Sequence, residues 1–391
     1  DRGARMNGQL RMTWSYLRFN RWKSLILMLC LGITFFLPLL LNTLIAVYET
    51  RLTARAEATP MIVGARGDRY DLVVNSLYFT SESPKMITLE QQTVIDATER
   101  ADTIPLHVQF TAKNHPIVGS ILEYFTFRNL TATAGHLPLR LGDCVLGADT
   151  AKTLNLEPGD RLLTDQTSLY NIASTYPVNM RVSGVLSRNG SPDDRAVFVD
   201  LKTAWLIQGK YHGHEDVAAN EKLILNREGD TVRANAAVVE YTEVTENNLS
   251  SFHLHGSTTN MPITAILVQP HSPKDATLLK SAYNRSPLHQ MLVSREVMDE
   301  LLRIVFQVKR FFDTSFSLMI IVCLLFITII VLLSLKIRRR EMETMYRMGC
   351  SRGTMVRLQC LEWLILSVGG LLLASLGVGL ILYQLPFWKW L

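Results

Sequence analysis

The 391-residue chain has no Gly-x-x-x-x-Gly-Lys-Ser/Thr loop, so it lacks the backbone cradle and lysine that hold nucleotide phosphates. It also lacks Gly-x-Ser-x-Gly and His-Glu-x-x-His, which excludes the nucleophile-elbow hydrolases and the helical zinc proteases. Cysteine is scarce. Of the five, Cys30 and Cys323 fall in apolar runs and Cys350 and Cys360 lie near the C-terminal basic loop, leaving Cys144 alone in the interval 49–313. No internal disulfide can form in that interval. Charge is missing altogether from three stretches, 24–48, 314–335 and 363–388. Bilayer hydrocarbon about 30 Å thick is crossed by about 20 helical residues rising about 1.5 Å each, and all three stretches are long enough. Apart from Pro38, their polar content is Asn42, scattered Ser and Thr, Gln384, and Tyr48 and Tyr383 near the ends. They therefore hold nothing of the kind that proton or ion pathways use.

The rest of the chain has a different composition. The averages of 48% hydrophobic and 19% charged residues conceal an ordinary soluble composition between Glu49 and Asp313, long enough for one large domain or two small ones. Arg2, Arg5, Arg11, Arg18, Arg21 and Lys23 stand against Asp1 before the first apolar stretch, a net of +5, and 336–362 carries seven basic and three acidic residues, a net of +4. The positive-inside rule puts both on the cytoplasmic side. The interval between, with 26 basic and 31 acidic residues, then faces out. The overall charge of +5 reflects this topology and implies no nucleic-acid binding. The first apolar run is too long for a signal-peptide core and lacks a small-x-small cleavage pattern, so it is expected to be retained.

Within the basic segment 1–23, residues Arg11 to Lys23 alternate aromatic and basic side chains, among them Trp14, Tyr16, Phe19 and Trp22, which suits an amphipathic helix at the lipid headgroups. Within 49–293, short apolar runs separated by turn residues read as strands: those starting at Met61, Asp71, Cys144, Met180, Ala196, Ala236 and Ile263. Segments 89–100, 148–154 and 275–283 read as helices, and the loop from Ser187 to Asp194 as too polar for a core. From 294 to 313 no Pro or Gly interrupts an apolar repeat at Val297, Leu301, Leu302, Val305, Phe306 and Val308, which predicts a stalk helix continuous with the second span. The fold class is an α-helical transmembrane protein with a large inserted extracytoplasmic α+β domain.

The loop after the second span reads Arg338-Arg-Arg-Glu-Met-Glu-Thr-Met-Tyr-Arg-Met-Gly-Cys-Ser-Arg-Gly, and Met355-Val-Arg-Leu-Gln-Cys-Leu-Glu-Trp-Leu follows into a glycine-dotted span. This pattern resembles the MacB/FtsX family of ABC-transporter permeases. Val145-Leu-Gly, Ala151, Leu154-Asn-Leu, Gly159-Asp160 and the segment from Arg195 to Ala204 are similar to the family's periplasmic signatures, and Leu17-Arg-Phe-Asn-Arg-Trp-Lys-Ser to its basic lead-in. The resemblance implies a bacterial inner-membrane permease paired with a second copy or a homologue, and driven by a separate cytoplasmic ABC ATPase dimer that binds ATP and magnesium. A periplasmic adaptor, substrate-binding protein or lipoprotein belongs to the same expectation, and membrane lipid surrounds the spans. The family has four spans where this chain shows three, and truncation is the expected reason.

On a helix from Ile337, the side chains of Ile337, Glu341, Met345 and Met348 fall on one stripe beside Met342, while Arg338, Arg339 and Arg340 point elsewhere. Such a stripe fits a groove on an ATPase, with the arginines at the membrane surface. Gly349 and Gly353, followed or flanked by Ser351, allow a tight turn back toward the membrane. The expected role is a non-catalytic permease that transmits ATP-driven movement to the outer domain for export or extraction. A regulator of a cell-wall hydrolase and a zinc-linked transporter or sensor are the alternatives.

All nine histidines lie in the outer interval, and four form the pairs His212-Gly-His214 and His253-Leu-His255. Strand alternation points both members of a pair to one face, and imidazole suits zinc or copper. Unrelated surface histidines are the competing reading.

Overall fold

The computed structural model describes residues 2–80, 82–166, 177–213, 224–228, 231–234, 241–254, 256–337, 343–344 and 346–384. These form two compact units, one made by Leu52–Leu301 and the other by the flanking N- and C-terminal segments.

In the flanking unit, helix α1 (Arg2–Phe19) is joined at Asn20 to the long helix α2 (Arg21–Glu57). Thr13 and Leu17 on α1 are buried, with Leu17 clustered with Leu31 and Leu366, whereas Trp14, Phe19 and Trp22 are exposed. The aromatic–basic segment thus keeps its exposed aromatics while packing one face on its neighbours. The C-terminal helix, Arg352–Gln384, packs on α2 through glycine. A Cβ on Gly370 would lie 2.8 Å from Leu31 Cβ and 3.1 Å from the Gly32 nitrogen, so the backbones meet as small residues permit between helices in lipid. Arg21–Val47 and Arg352–Tyr383 are long and apolar enough to cross a membrane, and Asp313–Val322 is a shorter apolar piece of the helix Ser294–Ile337. The last helix begins well before the expected 363, because Ser351 caps it, and α2 runs past 48 to Glu57. Residues 385–388 of the expected third span lie outside the described residues.

The Leu52–Leu301 unit is built on a mixed sheet of ten strands. In chain order the described strands are β1 (Met61–Ala65), β2 (Ile87–Thr88), β3 (Ala101–Ala112), β4 (His115–Ser120), β5 (Ala132–Gly135), β6 (Asp143–Leu146), β7 (Arg161–Leu163) and β8 (Asn179–Leu186). They continue with β9 (Val197–Asp200), β10 (Tyr211–Gly213), β11 (Ile224–Glu228), β12 (Thr231–Ala234), β13 (Phe252–Leu254), β14 (Pro262–Ile263), β15 (Ala265–Pro270) and β16 (His289–Val293). The large sheet runs β16-β1-β15-β3-β4-β9-β6-β8-β5, with β7 also on β8. The twelve-residue β3 joins its halves, Ala101 to Leu106 pairing with β15 and His107 to Ala112 with β4. Pairs β4–β9 and β6–β8 are parallel and the others antiparallel. Helices α3 (Arg69–Tyr78), α4 (Glu90–Asp96), α5 (Glu123–Phe127), α6 (Ala148–Leu154), α7 (Leu201–Ile207) and α8 (Pro273–Asn284) complete the unit, which is the α+β mixture expected.

Two expectations fail for physical reasons. Asp71-Leu-Val-Val lies in α3, because the Asp68 carboxylate accepts from the N–H groups of Tyr70 and Asp71 and starts a helix whose Leu72, Val73, Ser76 and Leu77 turn inward at helical spacing. The polar loop before Arg195 is not surface material, since Asp193 and Asp194 are both buried. The segment expected as a helix over 89–100 is shortened to α4, and the expected strand at Ala236 lies outside the described residues apart from Tyr241.

Candidate functional site

Arg55 sits in the last turns of α2, past the apolar run, and is buried with Asp193. Its Nη1 donates to Asp193 Oδ2 at 2.6 Å and its Nη2 to Oδ1 at 3.0 Å, a bidentate pair of the kind that fixes geometry as well as charge. Arg55 Nε donates to the Leu77 carbonyl at 2.6 Å, and Nη2 also reaches the Tyr124 hydroxyl at 3.2 Å. That hydroxyl donates to Asp193 Oδ1 at 2.7 Å, and Ser191 Oγ donates to Oδ2 at 2.7 Å. Beside it, Arg128 Nη2 donates to Thr59 Oγ1 at 2.7 Å and its guanidinium lies 4.7 Å from the centre of the Phe127 ring. Burial opposes ionisation of Asp193, but the Arg55 charge and hydrogen bonds outweigh it and hold the carboxyl down at about 2. Burial likewise opposes the charge on Arg55, yet Asp193 raises its pKa overall. Burial and the Asp193 charge push the Tyr124 phenol up to about 12, so it remains a donor at neutral pH.

The long helix Ser294–Ile337, α9, starts in the same unit. Its first residue donates from Ser294 N to the Pro60 carbonyl at 3.2 Å, and Val297 and Met298 join the core that holds Leu72, Tyr124 and Phe198. Arg295 pairs with Glu57 at the end of α2, and Glu300 with Arg69 of α3 at 2.5 Å. The last turns of α2 and the first turns of α9 are therefore built into one core. Sequence reading missed this seat. Arg55 was not singled out, and Asp193 fell in the loop expected to be too polar for a core.

For the basic loop, Ile337 is the last residue of α9, while Arg338, Arg339, Arg340, Glu341, Met342 and Met345 lie outside the described residues. Near Tyr346 the chain makes a helical turn, with Met348 N donating to the Thr344 carbonyl at 3.0 Å. Met348 is 74% exposed. Gly349 has φ +94°, in the region that favours glycine, in the turn that precedes the next helix. Gly353 lies inside that helix, α10 (Arg352–Gln384). Ser351 serves the backbone, since its Oγ accepts from Thr354 N at 3.2 Å and caps α10. The Arg352 guanidinium lies 5.7 Å from the Tyr346 ring centre, closing the turn.

Of the four histidines singled out, His212 and His253 are brought together, directly opposed on the antiparallel pair β10–β13 with ring centres 5.0 Å apart. His214 and His255 lie outside the described residues. Among the described residues no group of three or more His, Cys, Asp or Glu is placed to hold a metal. The other described histidines are scattered: His107 is buried against Gln208, His115 lies by Thr150, and His271 pairs with Asp102.

Residues 314–390 match the family described as FtsX-like permease C-terminal. The resemblance read from the basic loop and the span after it is therefore upheld over that segment. No curated protein matches the sequence. Among solved structures, the chain is similar to the periplasmic region of MacB from Actinobacillus actinomycetemcomitans, at 13% identity and TM-score 0.33, covering 62% of this chain and 92% of that one. It is similar also to the extracellular domain of the ABC-type transporter YknZ from Gram-positive bacteria, at 12% identity and TM-score 0.31, covering 59% of this chain and 98% of that one.

Proposed function

We propose, from the FtsX-like permease segment over 314–390, that this chain is the permease subunit of an ABC transporter whose ATPase is a separate polypeptide. In this reading the basic N-terminus and the loop after α9 face the cytoplasm of a bacterial inner membrane, and the Leu52–Leu301 unit lies outside. The ATPase dimer grips the loop, and movement of the helices is delivered to the outer unit to export or extract a substrate there. The domain divisions expected from the sequence, including a stalk over 294–313, belong to the same proposal.

One observation carries the force-transmitting part. The ends of α2 and α9 are seated in a single core, where the buried Arg55–Asp193 pair holds α2 and the Arg295–Glu57 ion pair ties α9 to it. A rigid, saturated anchor moves a domain as a body, whereas a flexible tether would absorb the movement. Met348, exposed beside the Gly349 turn, supports the loop as a contact surface.

Replacing Met345 and Met348 by Asp tests the reading, because charge on an apolar contact stripe opposes helix-in-groove docking. The expected result is loss of the copurifying ATPase with the chain still in the membrane. Unchanged copurification of the ATPase would overturn the assignment of this stripe.

A further inference from the structure

The exposed face of α1 has no part in the seating of α2 and α9. Between Asp1 and Glu49 the sequence holds no acidic residue, so Arg11, Arg18 and Arg21 find no carboxylate near them along the chain. All three are exposed, and among the described residues none of them forms an ion pair. Arg11, Trp14 and Arg18, spaced i, i+3 and i+7, stand on one face of the helix. Thr13 and Leu17 are buried on another, where Leu17 packs with Leu31 of α2 and Leu366 of α10. The stripe that can pack on protein is already used. What remains outward is cations set among aromatic rings, with Phe19 87% and Trp22 70% exposed. A flank that merely fixes topology needs the charges but not the rings.

The second observation is position. At Asn20 the helix joins α2, which is long and apolar enough to cross a membrane from Arg21 to Val47. The exposed face therefore begins where the hydrocarbon ends. Indole rings settle at that level, and guanidinium groups pair there with phosphate oxygens in bidentate fashion.

We propose that the outer face of α1, with Arg11, Arg18 and Arg21 among Trp14, Phe19 and Trp22, is a binding surface for anionic phospholipid headgroups. A zwitterionic headgroup presents the same phosphate with its own cation beside it, so the surface selects by net charge. Each basic side chain near an anionic membrane surface contributes about fivefold in affinity. The inference rests on α2 crossing the membrane, as the permease reading has it, and requires no ATPase.

The test titrates the full chain in mild detergent with phosphatidylglycerol or phosphatidylethanolamine of matched acyl chains and counts bound lipid by native mass spectrometry. The expected result is binding of phosphatidylglycerol about tenfold tighter in the wild type, with the preference falling to within about twofold in Arg11→Gln/Arg18→Gln/Arg21→Gln. The lysine counterpart, Arg11→Lys/Arg18→Lys/Arg21→Lys, keeps the charge and the preference. So does Arg140→Gln/Arg188→Gln/Arg285→Gln, which removes the same charge from the α/β unit. Equal binding of the two lipids by the wild type, a preference that survives in the α1 glutamine variant, or its loss in the lysine variant or the α/β control, would refute the proposal. A negative result leaves the permease reading standing, whereas release of the chain from membranes by alkaline carbonate would remove the premise of both.

Discussion

At the scale of single residues, Arg55 and Asp193 form a buried bidentate ion pair. Removing one partner leaves an unpaired charge in a buried site, so Arg55→Ala or Asp193→Ala is expected to destabilise the Leu52–Leu301 unit by about 3–5 kcal/mol, measured by denaturant unfolding in detergent. The double variant Arg55→Met/Asp193→Leu leaves no unpaired charge. It is expected to recover most of that stability, and failure to recover would show that the hydrogen-bonded pair is needed for folding itself. Acid separates two contributors. Burial lowers the His107 pKa to about 4, against an ordinary value of about 6.5, so its protonation in the unfolded chain erodes stability as pH falls through that window. Asp193, held at about 2 against an ordinary value of about 3.9, contributes stability that is fully present above the ordinary value. It is lost as pH falls through about 2. In acid unfolding, His107→Gln should flatten the upper part of the pH profile and Asp193→Asn the lower part. A lower limb that persists in Asp193→Asn would contradict the assigned role.

At the scale of elements, periodicity and caps served well where neighbours within the chain decide the outcome. The runs at Met61, Cys144 and Ala196 became strands in one sheet, and 148–154 became α6 as expected. The failures came from partners far away in sequence. Asp193 is drawn inward by an arginine 138 residues earlier, which no local window contains. Asp71 was misread for the opposite reason: the β-branched pair beside it suggested a strand, but the Asp68 cap was local and legible. The loop stripe could be read only as a pattern, and in its described part Ser351 caps α10. Close packing of α2 and α10 gives a test at this scale. Gly370→Leu forces a side chain into Leu31 and the Gly32 backbone, and should cost about 1–3 kcal/mol, seen as earlier thermal aggregation in detergent. Gly379→Leu, where a Cβ meets nothing within 4 Å, is the matched control and should leave the aggregation temperature unchanged.

At the scale of the whole molecule, the division of labour follows from what each unit can do. The flanking unit exposes apolar side chains such as Ile33, Leu376 and Leu380, as a surface facing lipid requires. The α/β unit has a core of its own, into which the two long helices insert their ends. In the permease reading proposed above, a separate ATPase supplies the energy, and the loop bearing the exposed Met348 is the surface proposed to receive it. The most direct measurement places a photo-crosslinking amino acid at position 348 in living cells and identifies the adduct by mass spectrometry. The account predicts a single major adduct with an ATP-hydrolysing subunit from the cytoplasm. Crosslinking of that position to extracytoplasmic proteins instead, or to no ATPase while the chain is assembled in the membrane, would contradict it.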